Sequence, residues 1–157
     1  MVIEIGQDAP DFELKDHRGE VVALSGFRHE RAVAVVFFPF AFSSVCEGEL
    51  CALRDDHAEL AEAGVQVLAI SCDSRFAQAR WAEEKGYPFP VLSDFWPHGE
   101  VAKSFGVFNE ALGCANRVTF VIDQDGVVVD QFESASLGEA REPGRYAAAI
   151  ATLAAAG

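Results

Sequence analysis

Ala32-Val33-Ala34-Val35-Val36-Phe37-Phe38-Pro39-Phe40-Ala41-Phe42-Ser43-Ser44-Val45-Cys46 carries the organisation of this chain. Ala32 to Phe38 is apolar at every position and β-branched at several, as in a central strand covered on both faces. Pro39 ends the run and a short turn follows. Ser43 or Ser44 can cap a helix, and Glu47 and Glu49 put negative charge in its first turn. Cys46 therefore lands where backbone N–H groups are unpaired and the helix macrodipole is positive, a setting that favours a thiolate.

Other elements assemble around that stretch. Asp11 to Lys15 alternates polar and apolar, His17-Arg18-Gly19-Glu20 is a turn, and Val21 to Leu24 completes a hairpin. The helix carrying Cys46 is expected to continue through Leu50, Leu53, Leu60 and Ala61 until Gly64. Val65 to Ser71 reads as a second buried strand, Ser74 to Lys85 as a helix ending before Gly86, and Phe89 to Leu92 as a short extended piece. Glu100 to Phe105 fits a helical turn or two. Val118 to Ile122 and Val127 to Val129 flank Asp123-Gln124-Asp125-Gly126, a hairpin signal. From Pro143 an alanine-rich helix closes the chain. Strands alternating with helices, then a late hairpin, predict one α/β domain over residues 1–157, three layers deep, with a mixed sheet.

The chain has 157 residues, half of them hydrophobic, and a formal charge of −13. That acidity speaks against nucleic acid and anionic membrane surfaces as partners. No export signal follows Met1, and Ala32 to Phe42 is about half of the roughly 20 residues a membrane-spanning helix needs. A cytoplasmic protein is expected. Its four cysteines (46, 51, 72 and 114) then read as reduced thiols, some of them reactive. Their spacing matches no zinc pattern, so neither metal nor other cofactor is expected.

Pro39-x-x-x-Ser43-x-x-Cys46 matches the P-x-x-x-[ST]-x-x-C signature of peroxiredoxins. Ala9-Pro10-Asp11-Phe12, Leu92-Ser93-Asp94 and Arg117-Val118-Thr119-Phe120-Val121-Ile122-Asp123 resemble further landmarks of that family, in its order along nearly the whole chain. Phe38 to Phe42, Ser93 to Gly99 and Gly106 to Glu110 most resemble the one-cysteine AhpE-type branch. The resemblance implies a thioredoxin-like three-layer fold, with a central mixed sheet flanked by helices and an N-terminal β-hairpin. It also implies a thiol-dependent peroxidase.

The chemistry explains why such a site needs more than a cysteine. A thiolate attacks one peroxide oxygen while the leaving oxygen gains negative charge. A free cysteine is only about 3% thiolate at pH 7. Lowering a thiol pKa from about 8.5 to about 6 takes roughly 3.4 kcal/mol, and a helix terminus supplies about 0.3–2. The resemblance gives the remaining stabilisation to Arg117 and the Ser43 hydroxyl, with backbone N–H groups near Val45 and Cys46 meeting the leaving oxygen. It gives Pro39 the task of shaping and shielding the turn. Phe38 and Phe42, with Phe40, form an apolar surround that hints at organic peroxides or simply at core. Glu49 stands among the substrate-side candidates; it either orients an arginine or favours the helix start. His98, Trp81 and Trp96 read as structural.

Cys51 departs from the one-cysteine branch. Cys46-x4-Cys51 has the spacing of peroxidatic and resolving cysteines in the Q-type (bacterioferritin-comigratory) peroxiredoxins. Positions i and i+5 of a helix lie roughly 8–9 Å apart at Cα, and a disulfide needs less than about 7 Å, so the first turns must unwind for the bond to form. Cys114 is the alternative internal thiol, and Cys72 reads as packing. The expected substrates are hydrogen peroxide, organic hydroperoxides or peroxynitrite. The reductant is thioredoxin, a glutaredoxin-like protein or a low-molecular-weight thiol, and a homodimer is the family expectation. A redox sensor or relay, in which Cys46 oxidation controls a partner, is the competing reading. A disulfide reductase fits poorly, because no C-x-x-C is present.

Overall fold

In the computed structural model, which describes residues 2–156, the sheet is built outward from the stretch quoted above. Strand β3 (Ala32–Phe37) is buried at all six positions. Its odd residues Val33, Val35 and Phe37 pack with Phe12, Leu24, Val101 and Phe105. Its even residues Ala34 and Val36 pack with Cys46, Leu50, Leu53 and Trp81. Alternating strand side chains thus feed two cores, one on each face, which makes three layers.

The N-terminal hairpin β1 (Glu13–Lys15) and β2 (Val21–Ala23) forms as expected, with Leu14 opposite Val22. Strand β4 (Val65–Ser71) runs parallel to β3, and β5 (Val91–Ser93) parallel to β4. Strand β8 (Val118–Ile122) runs antiparallel to β3 and pairs with β9 (Val128–Glu133) through the expected turn. The order is β5-β4-β3-β8-β9. Between β5 and β8 lie helix α4 (Glu100–Ser104) and a small hairpin of β6 (Phe108–Asn109) and β7 (Cys114–Ala115).

Helices α1 (Ser44–Asp55), α2 (His57–Glu62), α3 (Arg75–Lys85) and α5 (Gly144–Ala156) complete the fold. The single helix expected up to Gly64 is two. Asp56 adopts φ −96° and ψ 3°, outside the helical basin, although its N–H still bonds Ala52 O. The break re-aims α2 so that Leu60 reaches the α1-side core. Neither proline nor glycine announces it. Helix α3 follows its sequence signals: Ser74 Oγ accepts from Ala77 N at 3.3 Å, and Gly86 closes it at φ +65°.

Topology places the site. Because β3 and β4 are parallel, the loops after them emerge side by side. Because β8 is antiparallel to β3, Arg117, one residue before β8, lies at the same end. Helix α1 starts there too.

Candidate active site

Cys46 is the third residue of α1, after the N-cap Ser43. The first helical hydrogen bond runs from Glu47 N to Ser43 O at 2.9 Å, which leaves the preceding N–H groups without helical partners. The side chain of Cys46 is fully buried in the α1-side core, with Ala41 of the preceding loop packed against that cluster.

Arg117 meets the sulfur. Its Nη1 donates to Cys46 Sγ at 3.0 Å and to Glu49 Oε1 at 2.7 Å, and its Nη2 donates to Leu137 O at 2.6 Å. Burial works against the guanidinium's charge, but the bonds to Glu49 and Cys46 outweigh it and raise its pKa. The Arg117 side chain is 3% exposed and that of Glu49 7%.

Glu49 is held from its other side by Arg141, a residue that sequence reasoning passed over. Arg141 Nε and backbone N donate to Glu49 Oε2 at 2.9 and 2.8 Å, and Nη2 to Oε1 at 2.9 Å. Its Nη1 reaches Phe37 O at 2.8 Å and Thr119 Oγ1 at 3.1 Å, so the guanidinium joins α1 to β3 and β8. Burial alone would raise the Glu49 pKa; the bonds and charge of Arg141, with the bond from Arg117, bring it below its ordinary value. Arg141 is 92 residues from Glu49, in Glu139-Ala140-Arg141-Glu142, where no local pattern marks it.

Of the other candidates, Ser43 departs most from expectation. Its hydroxyl donates to Phe40 O at 2.8 Å and neither caps α1 nor bonds the sulfur. A short side chain at a turn closes on the nearest carbonyl. Pro39 is buried beside the sulfur-bearing core, and Val45 is half-buried on α1's first turn. Phe38 is buried against Trp81, ring centroids 5.4 Å apart, so it lies in the core rather than on the rim. Phe42 is exposed, adopts φ +69° and leans over Trp81 at 6.1 Å. Glu49 offers neither oxygen to a substrate, since both are engaged by arginines.

All four thiols are free. Cys51 Sγ lies 3.7 Å from Tyr87 Oη, on the α3 side of α1. Cys72 lies just past β4, and burial pushes its thiol up to about 12. Cys114 sits on β7, and its thiol is raised by burial and then by the charges of Cys46 and Asp73. Both ring nitrogens of His98 face backbone carbonyls, Phe95 O and Gly113 O, and its ring packs edge-on against Phe95 and Phe108, in keeping with a structural role.

A sequence profile of the AhpC/TSA family matches residues 5–131. The chain belongs to the AhpC/TSA family of peroxiredoxins. Alkyl hydroperoxide reductase E of Mycobacterium tuberculosis is 43% identical to this peroxiredoxin over 153 residues, 97% of this chain and 99% of that one. Peroxiredoxin Bcp of Escherichia coli is 37% identical over 137 residues, 83% of this chain and 86% of that one. The crystal structure of peroxidoxin BcpB from M. tuberculosis superposes with a TM-score of 0.85 at 36% identity, covering 98% and 97% of the two chains. The expected thioredoxin-like peroxiredoxin fold is therefore the fold observed, and this peroxiredoxin is a thiol-dependent peroxidase, an enzyme that takes peroxide and a reducing thiol. Likeness to both an E-type reductase and a Bcp protein agrees with the mixed character read from the motifs.

Proposed function

We propose that Cys46 is the peroxidatic sulfur. The observation that carries this is a charge count: Arg117 and Arg141 share the single carboxylate Glu49, and Cys46 Sγ is the remaining ionisable group bonded to Arg117. One buried positive charge is left uncompensated unless the sulfur is an anion. Attack of the thiolate on a peroxide oxygen breaks the O–O bond and forms an S–O bond. Sulfur is oxidised to sulfenic acid, and the other oxygen leaves as alkoxide or hydroxide and takes a proton from water. The unpaired N–H groups of α1's first turn are available to the oxygens during this step. So is Arg117 Nε, a buried donor with no partner among the described residues.

Cys51 resolves the sulfenic acid in this reading, releasing water and forming a 46–51 disulfide that an external thiol then reduces. The C-x4-C spacing supports it, and the position of Cys51 against Tyr87 requires α1's first turns to open beforehand. Peroxides with an apolar substituent suit the exposed Phe40 and Phe42. A homodimer is supported by the exposed Phe76, Phe95 and Trp96, which line one groove with Leu14. Four free thiols suit a cytoplasmic location.

Stopped-flow oxidation of wild type and Cys46→Ser by hydrogen peroxide and cumene hydroperoxide, with peptide mapping of the products, tests the assignment. The fast phase disappears in Cys46→Ser, and one equivalent of peroxide yields a 46–51 disulfide in wild type. A retained fast phase in Cys46→Ser overturns the role of Cys46. Sulfenic acid without that disulfide assigns resolution to an external thiol.

A further inference from the structure

The turn between Pro39 and α1 is held by a residue that no sequence motif above includes. Asp73 lies in the loop between β4 and α3. Its Oδ2 accepts the backbone N–H of Ala41 at 2.8 Å and the hydroxyl of Ser71 at 2.6 Å. The carboxylate is anchored from behind. The buried Gln78 amide donates to Ser71 Oγ and to Leu92 O, both at 2.8 Å, and Ser93 Oγ donates to Asp73 O at 2.7 Å.

The peptide unit joining Phe40 to Ala41 is thus gripped at both ends. Its N–H goes to Asp73, and its carbonyl accepts both the hydroxyl and the N–H of Ser43, at 2.8 and 3.4 Å. Between these two grips Phe42 is forced to φ +69°. A non-glycine residue in the left-handed region costs on the order of 1–3 kcal/mol and persists only where its surroundings over-determine it. Asp73 supplies one side of that constraint. The other side is the Ser43 hydroxyl, three residues from Cys46.

We propose that Asp73 is a positioning residue for the peroxide reaction: through the Ala41 N–H it fixes the peptide plane that orients Ser43 and the start of α1. The proposal rests on Cys46 as the reacting sulfur. Asp73 does not touch the sulfur and acts on the geometry in which peroxide meets it. Arg117, just before β8, supplies the charge. The two contributions are therefore separable. A misplacement of about 1 Å in a near-attack geometry costs up to about a hundredfold in rate, whereas alkylation by iodoacetamide needs the thiolate but not an aligned peroxide.

Asp73→Ala is expected to lower the second-order rate constant with hydrogen peroxide by fivefold or more, while the iodoacetamide rate and its pH profile stay within twofold of wild type. Asp73→Asn keeps a carbonyl acceptor for Ala41 and restores the peroxide rate to within threefold. Where Asp73→Ala does not fold by circular dichroism, Asp73→Ser, too short to reach Ala41, is read in its place. A smaller fall in the peroxide rate, or a parallel fall in alkylation, overturns the proposal. So does an Asn variant as slow as the alanine. Cys46→Ser run alongside separates the two failures. If it abolishes the fast phase while Asp73→Ala leaves it unchanged, only the tether is wrong; if it retains the fast phase, the role of Cys46 is wrong as well.

Discussion

Arg117 makes three contacts with one guanidinium, to Cys46, Glu49 and the Leu137 carbonyl, and no other side chain type can. Arg117→Ala removes both the cation and the donor at the sulfur, and losing one such donor costs about a hundredfold to a thousandfold in rate. Arg117→Lys retains charge without the fork and falls between alanine and wild type in stopped-flow oxidation. Glu49 is the residue on which stability depends. Its pKa is lower folded than unfolded, so its stabilisation is present above its ordinary value of 4.5 and is lost as pH falls through the lower folded value. Glu49→Gln removes the carboxylate that two buried guanidiniums share and is expected to cost about 3 kcal/mol at pH 7. Urea titrations at pH 7 and below 4 check the sign: the gap between wild type and variant narrows on acidification. Arg117 and Glu49 were both visible as candidates, because motif and spacing pointed to them. Arg141 was not, since its partners Glu49, Phe37 and Thr119 meet it only after three elements have packed.

At the scale of elements, α1 does two opposed jobs. Its intact first turn presents Cys46 to Arg117, yet in the proposed cycle the same turn must open to bring Cys51 near. Contacts to α3 oppose that opening. Glu47 accepts from Trp81 Nε1 at 3.3 Å and pairs with Lys85 Nζ at 3.3 Å. The ion pair is about one-third exposed on each side, so it is worth no more than about 1 kcal/mol. Lys85→Ala is therefore expected to speed disulfide formation by up to about fivefold, with the initial oxidation unchanged, as read by the two phases of a stopped-flow trace. Most element boundaries could be placed beforehand, because Ser74, Gly86 and the Asp123–Gly126 turn are local signals. The break at Asp56 could not. It is set by where Leu60 finds the core, a tertiary demand with no local code.

For the whole molecule, the five-stranded sheet collects at one end residues that are up to 95 positions apart: Cys46, Glu49, Asp73, Arg117 and Arg141. Among the described residues no helix is long and apolar enough to cross a membrane. The largest exposed apolar side chains, Trp96 at 83% and Phe76 at 70%, lie on one groove with Phe95. If that groove forms the dimer contact, Trp96→Glu shifts the protein from dimer to monomer by light scattering while leaving a folded circular dichroism spectrum. Sequence by itself determined the family, the α/β order and the candidates Cys46 and Arg117, because a helix start, a buried strand and a short motif are contiguous features of the chain. Only the tertiary structure decided that Ser43 bonds Phe40 rather than sulfur, that Glu49 is sealed between two arginines, and that Asp73 grips the loop. Hydrogen-bond partners are settled by competition among all acceptors within about 3 Å, and sheet topology alone brings those acceptors together.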